Sequence, residues 1–287
     1  MQQNYNSFTR FAPTPSGYLH LGNIASFVYT SAIAKNMQAR IVLRIDDLDQ
    51  DRFRTNYLED IIETLGYLGL QYERAYSSQL PRMDLYERAL SVLREKQQLF
   101  ACICTRKTHA EPNSKSCSCR SKLISLDEMD VIWKIDVEPP SSVQLQEFGK
   151  GQVEFPFPFE MAALPVRKKN GQPTYHLASV VDDLHFGITA IVRGMDLLPS
   201  SLAQIHLSNL LGSATFNEIT FAHHPLLLDG AQKKMSKSSG ATSILQMRKR
   251  GLSPNEVFTH VAKLAGSFRS IGNLEDLEQE LLELWGS

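Results

Sequence analysis

The sequence predicts an α/β fold built on a parallel sheet, interrupted by an insertion and finished by a short helical C-terminal region. Three observations predict it. Strand, loop, helix and strand patterns follow one another between residues 7 and 46; strand and helix patterns resume after Tyr175; and a block of paired cysteines with little periodicity lies between them.

Ser7 to Phe11 reads as a strand that runs into the turn-rich Ala12-Pro13-Thr14-Pro15-Ser16-Gly17. From Gly22 to Gln38 the apolar residues Ile24, Phe27, Val28 and Ile33 recur at helical spacing. Arg40 to Asp46 then alternates, with Ile41, Leu43 and Ile45 on one face. A strand, helix and strand in this order form a βαβ unit, which requires a parallel pair. Two amphipathic helices follow, Tyr57 to Leu68 and Met83 to Leu93. From Ala101 the chemistry changes: residues 101–124 carry five Lys/Arg against one Glu, and residues 125–138 carry five acids against Lys134. Val131 to Val137 is strand-like and ends before Pro139-Pro140. Beyond Tyr175 come a strand at Gly187 to Arg193, a helix from Ser200 as N-cap to Leu211, and a strand near Ile219 to Ala222. The tail, Ser253 to Trp285, reads as all helical, with Leu277, Leu281, Leu284 and Trp285 on one face. The expected organisation is a first core half at 1–100, an insertion at 101–174, a second core half at 175–245 and a helical region at 246–287.

Thirty Lys+Arg against 31 Asp+Glu in 287 residues give a net charge of −1, and 43% of the chain is apolar. Such balance excludes disorder and collagen-like repeats, and it excludes gripping a polyanion through the overall field. A polyanion would have to be met by local patches, of which residues 231–251, with six Lys/Arg and no acid, are one. The polar N-terminus has no signal-peptide core, and the most apolar stretch, Ile24 to Ala34, is too short for a bilayer. A soluble cytoplasmic protein with no membrane partner is expected.

All four cysteines fall in one short stretch, as Cys102-Ile-Cys104 and Cys117-Ser-Cys119. Two close pairs joined by a loop can build a tetrahedral thiolate site, each pair supplying two sulfurs from one tight turn. Two disulfides are the alternative, disfavoured in a reducing compartment. A closed zinc site made of four thiolates has no open position, so its role is structural.

Neither G-x-x-x-x-G-K-[ST] nor G-x-G-x-x-G occurs. Instead, Pro15-Ser-Gly-Tyr-Leu-His20-Leu-Gly22-Asn23 stands where the first strand passes into the first helix, and a helix N-terminus there favours anions. Gly17 lets the backbone turn, Gly22 leaves space for a flat ring, and His20 can donate to a phosphate oxygen. Alone, this histidine reads better as a satisfied structural one. Its partner is Lys233-Lys234-Met-Ser-Lys237-Ser-Ser-Gly240, a loop of ammonium and hydroxyl groups after the last strand.

Together the two motifs resemble the HIGH-type and KMSKS-type signatures of class I aminoacyl-tRNA synthetases, as His20-Leu-Gly-Asn23 and Lys234-Met-Ser-Lys-Ser238. Arg10-Phe-Ala-Pro-Thr-Pro-Ser-Gly17, Leu43-Arg-Ile-Asp-Asp-Leu-Asp49, Tyr175-His-Leu-Ala-Ser-Val-Val-Asp-Asp183 and Val192-Arg-Gly194 are similar to the glutamyl branch. The shortness of the chain after its KMSKS-type loop, with a cysteine cluster that begins C-x-C, resembles the glutamyl-Q tRNA(Asp) synthetases of that branch. The resemblance implies a Rossmann-like class I catalytic core acting as a monomer on ATP, L-glutamate and tRNA(Asp). The product would be glutamate esterified onto queuosine in the anticodon.

The resemblance further implies that His20 and Lys237, with Lys234, stabilise charge on the reacting phosphate. His20, Gly22, Asn23 and Lys237 would meet ATP. Arg10 and Arg193 would fork onto the substrate's side-chain carboxylate, with Phe11, Ala12, Pro13, Thr14 and Tyr175 around it and Asp46 on its ammonium. Mg²⁺ would arrive with ATP and need no protein ligand, and zinc would sit on Cys102, Cys104, Cys117 and Cys119. Asp46 departs from the Glu usual in glutamyl enzymes, so glutamine is the alternative substrate, opposed by Arg193. Charging of a tRNA 3′ end and a non-catalytic paralogue are the other readings.

Overall fold

The structure is a computed structural model that describes residues 7–104, 117–227 and 243–286. Two parallel runs of strands meet to form its main sheet. In the first, β1 (Phe8–Phe11) pairs with β2 (Arg40–Ile45), and β2 with β3 (Glu73–Ser78). The second joins β6 (Ser142–Glu147) to β10 (Thr220–His224) and β10 to β9 (Ala190–Gly194), with β7 (Gly151–Pro156) as an antiparallel edge. A parallel bridge between Phe8 and Ile188 fuses the runs, helped by Thr189 N–H donating to Phe8 O at 2.8 Å. The order is therefore β3-β2-β1-β9-β10-β6-β7, and it reverses direction between β1 and β9. In sheets of this kind ligands bind at the strand C-termini beside that reversal.

The first helix, α1 (Leu21–Asn36), has ten of its sixteen residues buried, too many for a one-sided stripe. The reason is that it is covered twice, by the sheet and by the C-terminal helices α7 (Pro254–Leu264) and α8 (Leu274–Trp285). Val257, Phe258, Leu277 and Leu281 share one core with Phe11, Ile33 and Leu43. The other face is covered by α4 (Tyr175–His185) and α5 (Leu198–Leu211), packed with α3 (Met83–Glu95) around Leu177, Ile191, Leu202 and Phe221. Two further helices, α2 (Thr55–Tyr67) and α6 (Ile244–Lys249), lean together through Arg248, which reaches Glu63 and Thr64 and lies over the Tyr67 ring. That engagement holds Arg248 against the protein.

Three expectations are corrected. The 101–174 stretch is not one contiguous insertion. β4 (Leu99–Cys102), β5 (Ile132–Ile135) and β8 (Pro165–Arg167) form a separate antiparallel sheet, whereas β6 and β7 return to the main sheet, where Val143 and Leu145 bury their side chains. Ser200 is not an N-cap: α5 begins at Leu198 with Pro199 in its first turn, and the Ser200 hydroxyl pairs with His176 Nε2 at 3.2 Å. The tail breaks at Gly266, whose φ of +90° suits glycine, so α7 and α8 are two helices; Leu284 is 40% exposed. No described helix is long and apolar enough to cross a membrane.

Candidate active site

A cleft of about 820 Å³ opens at the C-terminal ends of β1 and β2, between the segment after each strand and the start of α4. Thr14, Asp46 and Tyr175, three of the expected substrate residues, line it together with Asp49, Lys168 and Gln172. The Asp46 N–H donates to Pro13 O at 3.0 Å, which ties the turn after β1 to the end of β2. Phe11 does not face the cleft: its ring is 1% exposed and packs 5.0 Å from Phe27 in the core. Alternation along the strand accounts for this, since Arg10 and Phe11 leave β1 on opposite faces.

A buried charge cluster lies beneath the cleft. Arg10 Nε donates to Asp183 Oδ1 at 3.0 Å, and Arg44 Nη1 donates to the same oxygen at 2.8 Å. Arg44 also holds both oxygens of Asp46, at 2.6 and 3.2 Å. Beside them Asp182 accepts from Arg82, Tyr86 and Gln79, each at 2.7 Å. Burial lifts the Asp46 carboxyl above the ordinary carboxylate range, against the pull of Arg44. Asp183 moves the other way: burial would raise it, but Arg10 and Arg44 together hold it low.

Arg193 is the penultimate residue of β9, on the far side of the strand-order reversal. Its Nη1 donates to Gln204 Oε1 at 2.8 Å and to Ser201 Oγ at 3.3 Å, both from α5. Among the described residues its Nε and Nη2 have no partner, although the side chain is 5% exposed. Burial, and then the charges of Arg10 and Arg44, push this guanidinium below its ordinary range, while Tyr175 and Asp183 support it. Buried donors left open in this way leave room for an acceptor from outside the chain.

His20 caps α1. Its backbone N–H donates to Asn23 Oδ1 at 3.1 Å, and Ile24 N–H returns to His20 O, so the motif that begins at His20 shapes a helix N-terminus at the β1–α1 junction. Ser243 forms an antiparallel bridge with His20, and Ile244 N–H donates to Leu19 O at 2.8 Å. The chain beyond residue 242 is thereby fastened to the turn that carries His20. Lys234 and Lys237 lie outside the described residues.

The model of the class I tRNA synthetases (E and Q) catalytic domain matches residues 7–280. The chain belongs to this family. Relatives include glutamate–tRNA ligases of Burkholderia mallei (strain SAVP1) and Burkholderia thailandensis, each 32% identical over 96% of this chain and 61% of the relative. The chain thus spans about three fifths of the length of those ligases. Solved glutamate–tRNA ligases of Elizabethkingia meningosepticum, in complex with its amino acid, and Elizabethkingia anophelis share the fold. Both have a TM-score of 0.75 at 21% identity, covering 96% and 95% of this chain and 64% and 65% of theirs.

Away from the synthetase cleft, the sulfurs of Cys102, Cys104, Cys117 and Cys119 all lie within 4.8 Å of one another. The Cys102–Cys117 and Cys104–Cys119 contacts are 3.4 Å, far beyond a disulfide bond, and none of the four cysteines is in a disulfide. Zinc–sulfur bonds of ~2.3 Å at tetrahedral angles put sulfurs roughly 3.8 Å apart, so this set fits zinc. Burial raises the Cys119 thiol, but hydrogen bonds from Ile103 and the neighbouring cysteines bring it down to about 7, while burial and those neighbours push Cys104 up to about 12.

Arg44, Asp182 and Asp183 are among the members of the site to which sequence reasoning gave no role, although all three stand inside motifs that drew attention. The available signal was a charge within an apolar run, as in Leu43-Arg44-Ile45, which in a buried strand demands a buried counter-charge.

Proposed function

We propose that the chain activates L-glutamate with ATP and transfers the glutamyl group to queuosine in the anticodon of tRNA(Asp). The open Nε and Nη2 of buried Arg193 carry the first half of this reading, because a carboxylate accepts from two N–H groups of one guanidinium plane and a neutral amide cannot complete the charge. The substrate ammonium would meet Asp46, whose carboxylate Arg44 anchors from behind. The substrate α-carboxylate oxygen then attacks the α-phosphorus of ATP, and the bond to the bridging oxygen of the β-phosphate breaks. Glutamyl-adenylate forms and pyrophosphate leaves.

Extra negative charge on phosphorus would be met by His20 and Lys237, with Lys234 beside them, and by the α1 N-terminus. The Ser243 bridge to His20 supports this pairing of motifs, since it fixes one end of the lysine-bearing segment at the histidine. Mg²⁺ would travel on the ATP phosphates. In the second step a hydroxyl of queuosine attacks the glutamyl carbonyl and AMP departs. Zinc on the four cysteines would hold the β4-β5-β8 sheet and take no part in either step.

Queuosine as acceptor rests on the likeness of the C-x-C-led cluster to the anticodon-modifying branch. The 32% identity to glutamate–tRNA ligases favours a second reading, charging of a tRNA 3′ end. Transfer of labelled glutamate to total tRNA with and without queuosine separates them: label confined to queuosine-containing tRNA is expected, and equal labelling of both sinks the proposal. Pyrophosphate exchange as fast with glutamine as with glutamate would overturn the choice of amino acid.

A further inference from the structure

A polar chain runs away from Arg193 into the sheet. Arg193 and His223 face each other across the β9–β10 pair. Between them stands Ser201 of α5, fully buried, with its Oγ 2.8 Å from His223 Nε2 and 3.3 Å from Arg193 Nη1. His223 Nδ1 lies 2.9 Å from Glu147 Oε2, and the His223 backbone N–H donates to Glu147 Oε1 at 3.0 Å. Glu147 is 7% exposed at the end of β6, two strands from Arg193. Phe221 stacks parallel to the His223 ring and lies under the Arg193 guanidinium, so the apolar wall excludes water along the chain.

Building such a line of polar groups inside a core is costly unless every member has a partner. Here the partners close the chain. Glu147 faces Nδ1, so that nitrogen carries a proton. Ser201 has one hydrogen, shared between Leu197 O at 3.1 Å and the imidazole, and in either setting its lone pairs turn toward Arg193. The only negative charge in the line is that of Glu147.

We propose that Glu147, His223 and Ser201 form a positioning relay that fixes the plane of Arg193 and so sets the preference for a carboxylate over an amide side chain. The proposal rests on Arg193 being the receiver of the substrate side chain. Ser201 and Gln204 pin Nη1, which leaves Nε and Nη2 as a fork with one orientation; without the relay the hydroxyl rotates and the fork turns with it.

The test is pyrophosphate exchange with total tRNA present, comparing wild type, Glu147→Gln and Ser201→Ala. Glu147→Gln is expected to raise KM for glutamate by about tenfold, the scale of a charge-assisted hydrogen bond. KM for ATP should stay within about twofold, and the glutamate-to-glutamine ratio of kcat/KM should fall. Ser201→Ala, which removes one oxygen from a buried site, should give the same split should Glu147→Gln not fold. A lower melting temperature with an unchanged ratio of the two KM values in either variant would make the line merely structural and overturn the proposal. Wild type that exchanges with neither amino acid would instead overturn the reading beneath it, and the relay's role with it.

Discussion

Asp46 and Asp183 both accept hydrogen bonds from Arg44, yet their pKa values are displaced in opposite directions. Burial dominates at Asp46 and raises it; the paired guanidiniums of Arg10 and Arg44 dominate at Asp183 and lower it. The low Asp183 value adds stability that is present above its unfolded pKa of about 4 and is lost as pH falls through the folded one. The raised Asp46 value does the reverse, costing stability as pH rises through it. An ammonium bound at Asp46 would favour the charged form and recover that cost. Glutamate is therefore expected to raise the melting temperature by an amount that is steady at neutral pH and shrinks as pH drops through the Asp46 pKa, with Asp46→Asn removing the pH dependence. Thermal shift against glutamate from about pH 4 to about pH 8 checks this; a shift that stays constant through that range would sever Asp46 from the amino group.

At the level of elements, the β4-β5-β8 sheet is small, and Cys102 closes β4 while Cys119 is 1% exposed beneath it. A three-stranded sheet of this size has little core of its own, so the metal would contribute much of its stability, on the order of 10 kcal/mol for a closed thiolate site. Removing zinc with a chelator is expected to speed hydrogen exchange at Ala101, Trp133 and Ile135 while leaving Leu43 and Ile191 protected. Equal protection before and after chelation, or less than one zinc per chain in purified protein, would refute a structural metal. The sequence made the βαβ start, the strand at Arg193 and the cysteine pairing legible because each follows a simple period or spacing. It hid β6 and β7. Their alternation, Val143 and Leu145 against Gln144 and Gln146, sits among residues whose charge and cysteines signalled a separate unit, and sheet membership depends on β10, more than seventy residues away. Glu147 and His223 stayed hidden for the same reason: neither means anything until β6 and β10 lie side by side.

For the whole molecule, the helical C-terminal region is part of the core and not an appendage. Trp285 stacks 5.1 Å from His224 and meets Tyr29 edge-on at 5.2 Å, so α8 braces both the last strand of the sheet and the helix that His20 begins. Glu278 reaches the Ser31 hydroxyl at 2.6 Å and pairs with Lys35 on the same helix. Trp285→Ala is expected to cost about 3 kcal/mol, within the range for deleting a large aromatic, and to lower the urea midpoint of the main sheet as a unit. A separate early transition in the variant would show that α7 and α8 fold by themselves. The bridge from Phe8 to Ile188 carries a consequence for synthesis on the ribosome. Between the emergence of β1 and that of β9 some 180 residues must be translated, at about 5–20 residues per second roughly ten to thirty-five seconds. Throughout that interval one edge of β1 has backbone groups with no strand beside them, next to the residue, Arg10, that the finished protein keeps dry. The nascent chain thus carries an open strand edge for most of its synthesis, until the partner that closes it emerges.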